Sequence, residues 1–448
     1  MALRFRTRWP LFALACAAVF FLYFFGLTRA GMLSADEPRY AAIGRAMADT
    51  GDWITPRLWG QAWFEKPVLL YWLTALGFRA GLDDDLAPRL PLALLSVAFL
   101  AFFFNTLRRD YGPRIACYAT AILATSIGWL AYSHVAVTDL PLSACFAAAM
   151  LLADKRPSVA GVLLGLAILA KGLVPLILFL PALWFLRLRA VRILTIAVLV
   201  AAPWYALVTL RNGTPFLTEF FWKHHFARFT TGALQHERPF WFYVPVILAG
   251  LFPWTPLALG LFRRELYQGR REQFLLAWVL FGFVFFSASR NKLPGYVLPL
   301  LPALAILLAL ALTRSDTHRW TLALTAVLLW LIPVIADMLP QALLTGISRV
   351  PISFSYALLA PMLILGGAVW WLASRGHRDL AVAAITLVMT ILVAQVIWST
   401  YPVLDRTVSA RFFWRAGPVE CVESNNRSWR YGINYYARRV VPDCIPSH

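Results

Sequence analysis

The chain has 448 residues, of which 60% are hydrophobic and 14% are charged. Its apolar runs repeatedly approach the roughly 20 residues that a helix needs to cross a bilayer, which excludes an ordinary soluble protein. A formal net charge of +19 would suggest nucleic acid binding in a soluble chain, but here the basic residues cluster in short connections between apolar runs. We therefore predict a polytopic membrane protein that binds membrane lipids and no nucleic acid.

Thirteen apolar runs are predicted to be membrane spans. In chain order they lie near residues 10–28, 88–106, 115–134, 139–153, 158–170, 173–187, 193–211, 240–262, 273–288, 295–313, 320–338, 353–373 and 379–398. The basic connections orient the N-terminus inside and the C-terminus outside. A further run at 68–81 is short and contains Tyr71 and Trp72, which predicts an interfacial helix. The predicted fold class is all-α.

The predicted organisation is a membrane part to residue 400, with a first outward loop at 31–87, followed by a small outward tail at 401–448. Cys421 and Cys444 lie in this tail, on the oxidising side, and are predicted to form a disulfide. Cys16, Cys117 and Cys145 lie in apolar runs, where cysteine is typically a small buried hydrophobe.

The first outward loop concentrates acid, because eight of the 22 carboxylates lie between Gly31 and Asp85. Asp36 and Glu37 precede Pro38 and an amphipathic stretch, which indicates either a reacting carboxylate or ordinary capping of a surface helix. Glu65 and Lys66 precede a proline. They are candidates for a site, or for a solvated interfacial anchor.

Two further outward positions stand at the ends of predicted spans. Asp139 begins one span, as a site residue or a helix cap. Lys171 follows a long apolar run. An ionisable residue at such depth is costly and indicates function, although snorkelling to the membrane surface is the alternative.

A histidine-containing aromatic segment reads FFWKHHFARFTTGALQHERPFW, from 220 to 241. His225 and Arg228 share a helical face, and His236 follows. Two histidines with Glu65 could ligate zinc, but the spacing differs from the compact pair of a dedicated zinc helix. The aromatic residues equally fit an interfacial belt.

The last outward element, SRNKLPGYVLP at 289–299, carries Lys292 and Tyr296. Cations and a hydroxyl suit phosphate oxygens. The pattern therefore predicts a phosphate held jointly by Lys66, Arg228, Lys292 and Tyr296, with nonspecific binding of a lipid headgroup as the alternative.

Nine short motifs in order resemble the bacterial aminoarabinose (lipid A) transferase branch of the protein O-mannosyltransferase superfamily. These are GT-C glycosyltransferases, similar to glycosyltransferase families 39 and 83. The motifs are DEPRY, GDW, FEKP, TD, AKG, PWY, FFWKHHFARF, HERPFW and KLPGY, within residues 11–302.

This resemblance implies an inverting enzyme of the bacterial inner membrane. Its active site would face the periplasm and transfer a sugar from a polyprenyl (undecaprenyl) monophosphate to a lipid such as lipid A. Asp36 would be the catalytic carboxylate and Asp139 a second active-site acid. Lys66, Arg228 and Tyr296 would hold the donor phosphate, joined by Lys292.

The remaining implied roles are supporting ones. Glu65 and His225 would correspond to positions of a structural divalent metal, zinc or alternatively Mg or Mn, and no other cofactor is required. The supporting positions are Glu37, Arg39, Glu65, Lys171 and His236.

Other functions fit parts of the pattern. A protein O-mannosyltransferase would share the donor chemistry but act on protein. A transporter or flippase for lipid-linked sugars would typically show paired repeats and charges near the midplane, whereas the acids here crowd the outward loops. A structural subunit of an envelope complex is the remaining alternative.

Overall fold

The computed structural model describes residues 8–220, 222, 238–314, 318–346, 349–351, 356–417, 419–422 and 427–444. Within them the regular secondary structure is helical apart from one short hairpin and one isolated bridge, and loops and turns connect the elements. In chain order the first elements are α1 (Arg8–Tyr23), α2 (Asp36–Thr50), β1 (Arg57–Leu58), β2 (Gln61–Ala62), α3 (Leu69–Arg79), α4 (Leu86–Asp110), α5 (Pro113–Thr125), α6 (Ile127–Ser133), α7 (Asp139–Leu152), α8 (Pro157–Lys171), α9 (Val174–Leu178), α10 (Leu180–Leu186), α11 (Leu188–Asn212) and α12 (Thr214–Leu217).

The second half continues the same pattern. Its α-helices are α13 (Tyr243–Gly250), α14 (Arg270–Ala288), α15 (Leu301–Arg314), α16 (His318–Leu328), α17 (Leu331–Thr345), α18 (Leu359–Ser374), α19 (Arg378–Thr407), α20 (Ala410–Ala416) and α21 (Arg427–Ala437). Short 3-10 helices lie at Phe240–Phe242, Thr255–Phe262, Arg264–Tyr267, Pro294–Leu300 and Tyr356–Leu358.

The chain divides into two compact units. The core unit is Arg39–Ser315, and the terminal unit combines Met1–Pro38 with Asp316–His448. Helix α19 runs without interruption through the predicted domain boundary at residue 400. That boundary therefore falls inside a helix, and the division into a membrane part and a tail stays a prediction.

Among the described residues, five helices are long and apolar enough to cross a membrane, and up to eight if each bent pair is one span. The five are Leu86–Asp110, Leu188–Asn212, Arg270–Ala288, Pro294–Arg314 and Arg378–Thr407. Four shorter apolar helices accompany them, and 68–81 contains the 11-residue helix α3. The protein is thus an all-α, multi-pass membrane protein, as predicted, while the number of thirteen spans stays a prediction.

Several predicted spans are broken rather than straight. The pair Phe240–Gly250 and Thr255–Phe262 bends by 119°, and the pair Pro113–Thr125 and Ile127–Ser133 by 61°. Pro253 and Pro256 explain the first break, because proline cannot donate the backbone hydrogen bond that a continuing helix needs. The predicted span at 240–262 is therefore interrupted, and 173–187 likewise divides into α9 and α10. Whether each is one span stays a prediction.

The centre of the core unit is the segment Pro294–Arg314. In its most apolar stretch of 18 residues, 94% of the residues are buried. Helix α15 packs against α5, and the preceding 3-10 helix packs against α7. Helix α7 packs in turn on α8, and α8 on α11. Glycine fits the end of α8 because Gly172 has a φ of +69°, a conformation that side chains disfavour. This packing brings the end of α8 and the start of α7 beside the 294–300 segment.

Backbone and side-chain hydrogen bonds fasten the first loop to the end of α11. Asp52 Oδ1 accepts from the backbone N–H groups of Ile54 and Thr55 at 3.2 and 3.1 Å, and from Arg211 Nη1 at 2.8 Å. Trp204 Nε1 donates to the Ile54 carbonyl at 3.0 Å. The loop that leads to the FEKP motif therefore has a defined anchor within the core unit.

In the terminal unit, α20 packs on α21, and α19 packs on α1 and α17. A disulfide joins Cys421 to Cys444, the pair for which the sequence predicts one. The adjacent Val422 forms a parallel bridge with Asp443. The end of the chain is thus closed covalently around α21.

Candidate active site

Asp36 is the first residue of α2, as the sequence predicts for a helix start. The backbone N–H of Glu37 donates to Ser34 Oγ at 3.3 Å, so a serine supplies a capping oxygen. Glu37 itself is only 1% exposed. This burial argues against the alternative that the two acids merely cap a solvated surface helix.

Two basic residues of the predicted site, Arg39 and Lys66, pair with the carboxylate of Glu65. Arg39 Nη1 lies 3.0 Å from Glu65 Oε2, and Lys66 Nζ lies 3.3 Å from Glu65 Oε1. The three side chains are 5%, 12% and 11% exposed. Glu65 therefore orients two cations with one carboxylate, which argues against a solvated anchor. The contact with Arg39 is also a hydrogen bond, and hydrogen bonds between charged groups are stronger than neutral ones.

An aromatic cluster holds the FEKP motif in place. The ring of Phe64 lies 5.2 Å from that of Phe216, which stacks on Phe220 at 5.3 Å. Trp204 meets Phe216 edge to face at 5.9 Å. Because Phe64 directly precedes Glu65 in the chain, this packing restrains the backbone position of Glu65 and Lys66.

The second group of site residues joins two helix ends. Lys171 Nζ, from the last residue of α8, lies 2.6 Å from Asp139 Oδ1, at the first residue of α7. Their side chains are 11% and 15% exposed. Lys171 therefore does not snorkel away from the protein interior, and Asp139 binds a cation. The pair is partly buried, and removing charges from water in this way carries a desolvation cost.

Tyr296 lies against the same lysine. Lys171 Nζ stands 4.7 Å from the centre of the Tyr296 ring, within the range of a cation–π interaction. A Cβ added to Gly295 would lie 2.5 Å from Asp139 Oδ1 and 2.6 Å from Tyr132 Oη. Glycine thus lets the 294–300 backbone approach the ion pair, and Tyr132 lines the same place.

Lys292, a predicted phosphate-binding residue, bonds within its own turn. It is 5% exposed, and its ammonium donates to the backbone carbonyl of Ser289 in its own turn. Ser289 Oγ donates to the Asn291 carbonyl at 3.1 Å. The side chain therefore contributes to the shape of the 289–292 turn, and its predicted role at a phosphate stays a prediction.

Arg228, His225 and His236 lie outside the residues that the structure describes. Among the described residues there is no group of three or more His, Cys, Asp or Glu side chains that could hold a metal ion. Both oxygens of Glu65 bind cations, Arg39 and Lys66. This arrangement suits a counter-ion better than a metal ligand, and the metal site stays a prediction.

Sequence reasoning missed Tyr132, Gly295 and the bond between Asp52 and Arg211. Tyr132 lies in an apolar run, with no local signal of a site. Arg211 and Asp52 are far apart in the chain but 2.8 Å apart in space. The sequence shows the GDW motif that contains Asp52, but it does not show that Arg211 is the partner of Asp52.

The fold resembles two solved structures. One is ArnT from Cupriavidus metallidurans bound to undecaprenyl phosphate, with a TM-score of 0.75, 24% identity and coverage of 99% of this chain and 87% of that one. The other is the oligosaccharyltransferase AglB from Archaeoglobus fulgidus, with a TM-score of 0.53, 15% identity and coverage of 98% and 65%. Likeness at these identities establishes the fold. The protein is a multi-pass membrane protein with the GT-C fold.

Sequence relatives narrow the class. Residues 65–211 match the family of dolichyl-phosphate-mannose-protein mannosyltransferases. The chain also resembles the aminoarabinose-transferase branch of the protein O-mannosyltransferase superfamily.

Two curated relatives are undecaprenyl phosphate-alpha-4-amino-4-deoxy-L-arabinose arabinosyl transferases. The one from Edwardsiella ictaluri is 35% identical over 323 residues, which are 65% of this chain and 58% of the relative. The one from Pseudomonas aeruginosa is 34% identical over 338 residues, 69% of this chain and 60% of the relative. The matched region thus spans less than two thirds of the length of these relatives.

Proposed function

We propose that the protein is an inverting glycosyltransferase of the bacterial inner membrane. It transfers a sugar, most simply a pentose such as aminoarabinose, from undecaprenyl monophosphate to a lipid acceptor such as lipid A on the periplasmic side. The single observation that carries this proposal is the pair of partly buried cation–carboxylate clusters, Arg39–Glu65–Lys66 and Asp139–Lys171–Tyr296, at positions that resemble motifs of the superfamily.

The clusters suit the charges that develop in such a reaction. In a single displacement an acceptor oxygen forms a bond to the anomeric carbon while the bond from that carbon to the phosphate oxygen breaks. The phosphate leaves with the electron pair. Fixed cations stabilise the leaving phosphate and fixed carboxylates the positive charge on the sugar ring. Lys66 and Lys171 are the described cations for the first role, and Arg228 is proposed to join them.

The role of Asp36 depends on the acceptor. A hydroxyl acceptor loses its proton as it attacks, and Asp36 is proposed to take that proton as general base. An acceptor phosphate is already ionised and needs no base. Asp36 then orients it or stabilises the positive charge on the ring.

Protein O-mannosyl transfer is the second candidate, because the family model that matches residues 65–211 is that of protein mannosyltransferases. It shares the donor chemistry but has a hydroxyl on protein as acceptor. Mass spectrometry of envelope glycolipids and glycopeptides, with and without the protein, distinguishes the two. A mass shift on lipid A supports the first, and glycosylated peptide the second.

The assignment of Asp36 is tested with Asp36→Asn in lipid nanodiscs supplied with undecaprenyl-phosphate sugar. We expect transfer to be lost while undecaprenyl phosphate still binds, because the amide keeps the shape of the side chain but can neither take a proton nor supply the negative charge that stabilises the sugar ring. Lys66→Ala and Arg228→Ala should instead raise the donor KM more than the acceptor KM. Retained turnover in Asp36→Asn, or an unchanged donor KM in both cation variants, would contradict these roles.

A further inference from the structure

The backbone that leads into α2 is held by an arginine of the C-terminal tail. Arg411, in α20, is 6% exposed. Its Nη1 donates to the Thr28 carbonyl at 2.8 Å and its Nη2 to the Arg29 carbonyl at 3.2 Å. Nε of the same guanidinium donates to Asp405 Oδ1 at 3.0 Å. One side chain thus binds two consecutive carbonyls and a carboxylate, which the fixed fork of arginine can do and lysine cannot.

Two more side chains hold the next residues of the segment. The backbone N–H of Gly31 donates to Asp405 Oδ1 at 2.8 Å, and that of Met32 donates to Tyr436 Oη at 3.0 Å. Leaving buried backbone groups unpaired is costly. The segment from Thr28 to Met32 is therefore restrained residue by residue.

Close packing adds to these hydrogen bonds. A Cβ on Gly31 would lie 2.2 Å from Ser409 Oγ and 2.8 Å from Tyr436 Oη, so only glycine fits without a shift of the tail. Ala30 packs with Leu404 and Val408 in a buried apolar cluster. The tail and the segment therefore meet as closely as residues within a protein core.

Asp36 lies four residues after the end of this segment. Only four peptide steps separate it from Met32, a length of chain that spans at most about 14 Å when fully extended. Ser34 Oγ, within that link, accepts the Glu37 N–H. The position of Asp36 is thus tied to the restrained backbone before it and to the helix after it.

We propose that Asp405, Arg411 and Tyr436, together the tail clamp, are positioning residues for sugar transfer. They act through the 28–32 backbone, whose conformation determines where the Asp36 carboxylate points. The inference rests on the proposed function, because it takes Asp36 as the reacting carboxylate. It adds a role for the tail, whose residues were not among the predicted catalytic or donor-binding positions.

The test compares Arg411→Gln with Arg430→Gln in lipid nanodiscs. Arg430 is a matched control, because it lies in the same tail but pairs with Asp443 at the surface, with side chains 37% and 47% exposed. We expect Arg411→Gln to lower kcat at least ~20-fold, since small misplacement of a reacting group is costly, with the donor KM changed less than threefold. The control should leave both constants within about twofold. Asp405→Asn should lower kcat similarly, and the double variant no further.

Hydrogen exchange gives a readout independent of turnover. In Arg411→Gln the amides of Gly31 and Met32 should exchange faster than in the wild type, while the Cys421–Cys444 disulfide still forms. Gly31→Ala perturbs the same contact from the other side and serves if Arg411→Gln does not fold. If the amides of Gly31 and Met32 exchange at the wild-type rate in the folded variants, the tail clamp does not restrain the 28–32 segment and the proposal is overturned.

Kinetics then separate positioning from mere stability. Faster exchange with an unchanged kcat, in an enzyme that Asp36→Asn inactivates, overturns the positioning role. Full activity in Asp36→Asn instead refutes the proposed role of Asp36, and with it the positioning role, whereas the exchange result still reports on the clamp.

Discussion

Two ion pairs in the core unit join the same kinds of groups in opposite surroundings. Lys171 and Asp139 are 11% and 15% exposed, whereas Arg189 and Asp154, which also pair, are 57% and 64% exposed. Desolvation makes a buried pair a poor way to stabilise a fold, and an exposed pair contributes little to stability. Burial of charge, rather than pairing itself, therefore distinguishes the candidate site from the basic connections between the apolar runs.

The largest expected effect comes from removing one partner of the partly buried pair of Lys171 and Asp139. Lys171→Ala should lower the free energy of unfolding by about 1–3 kcal/mol, because it leaves the partly buried Asp139 carboxylate without its cation. Turnover should fall at least ~100-fold through loss of electrostatic stabilisation. Arg189→Ala, the control, should lower the free energy of unfolding by less than about 1 kcal/mol. Unfolding and turnover measured in the same nanodiscs check both values.

A double variant sharpens the result. Lys171→Met with Asp139→Leu removes both charges and should recover most of the lost stability, because an apolar pair avoids the desolvation cost. It should not recover turnover. Recovery of turnover together with stability would show that the pair is only structural.

A smaller effect is expected from neutralising the carboxylate between Arg39 and Lys66. Glu65→Gln keeps the shape of the side chain but weakens the ion pair with Lys66 and the charge-assisted hydrogen bond from Arg39. A hydrogen bond to a charged group is worth about 1.5–3 kcal/mol. The donor should bind about 10- to 100-fold more weakly because the two cations lose their fixed orientation. Titration with undecaprenyl phosphate measures this, and Asp154→Asn is the exposed control. Equal donor affinity in both variants would count against Glu65 as an organiser of the site.

The smallest effect concerns the approach of the 294–300 backbone to the buried pair. Gly295→Ala adds a Cβ that would lie 2.5 Å from Asp139 Oδ1, and overpacking of this kind costs about 1–3 kcal/mol. We expect turnover to fall about tenfold, as measured by initial rates. Gly367→Ala is the matched control, because a Cβ there meets no atom within 4 Å. A harmless Gly295→Ala would mean that the close approach is not needed.

Sequence reasoning succeeded where the decisive residues are neighbours or where hydropathy alone decides. Glu65 and Lys66 are adjacent, so their pairing needs no knowledge of the fold. The multi-pass, all-α class follows from the lengths of the apolar runs. The start of α2 at Asp36 follows from two acids before a proline.

It failed where distant residues meet or where the backbone turns inside an apolar run. Asp139 and Lys171 were both predicted site residues, but their pairing depends on how α7 packs on α8. Hydropathy does not show where a helix bends, and so the apolar run at 240–262 predicts a single span. Its prolines were the available signal.

The aromatic cluster around Phe216 has a consequence for communication between motifs. Phe64 stands next to Glu65 in the chain, and Phe220 begins the motif that continues to His225 and Arg228. Both motifs are thus rooted in one set of stacked rings. A substitution at Phe216 would therefore remove a packing contact from both Phe64 and Phe220 at once.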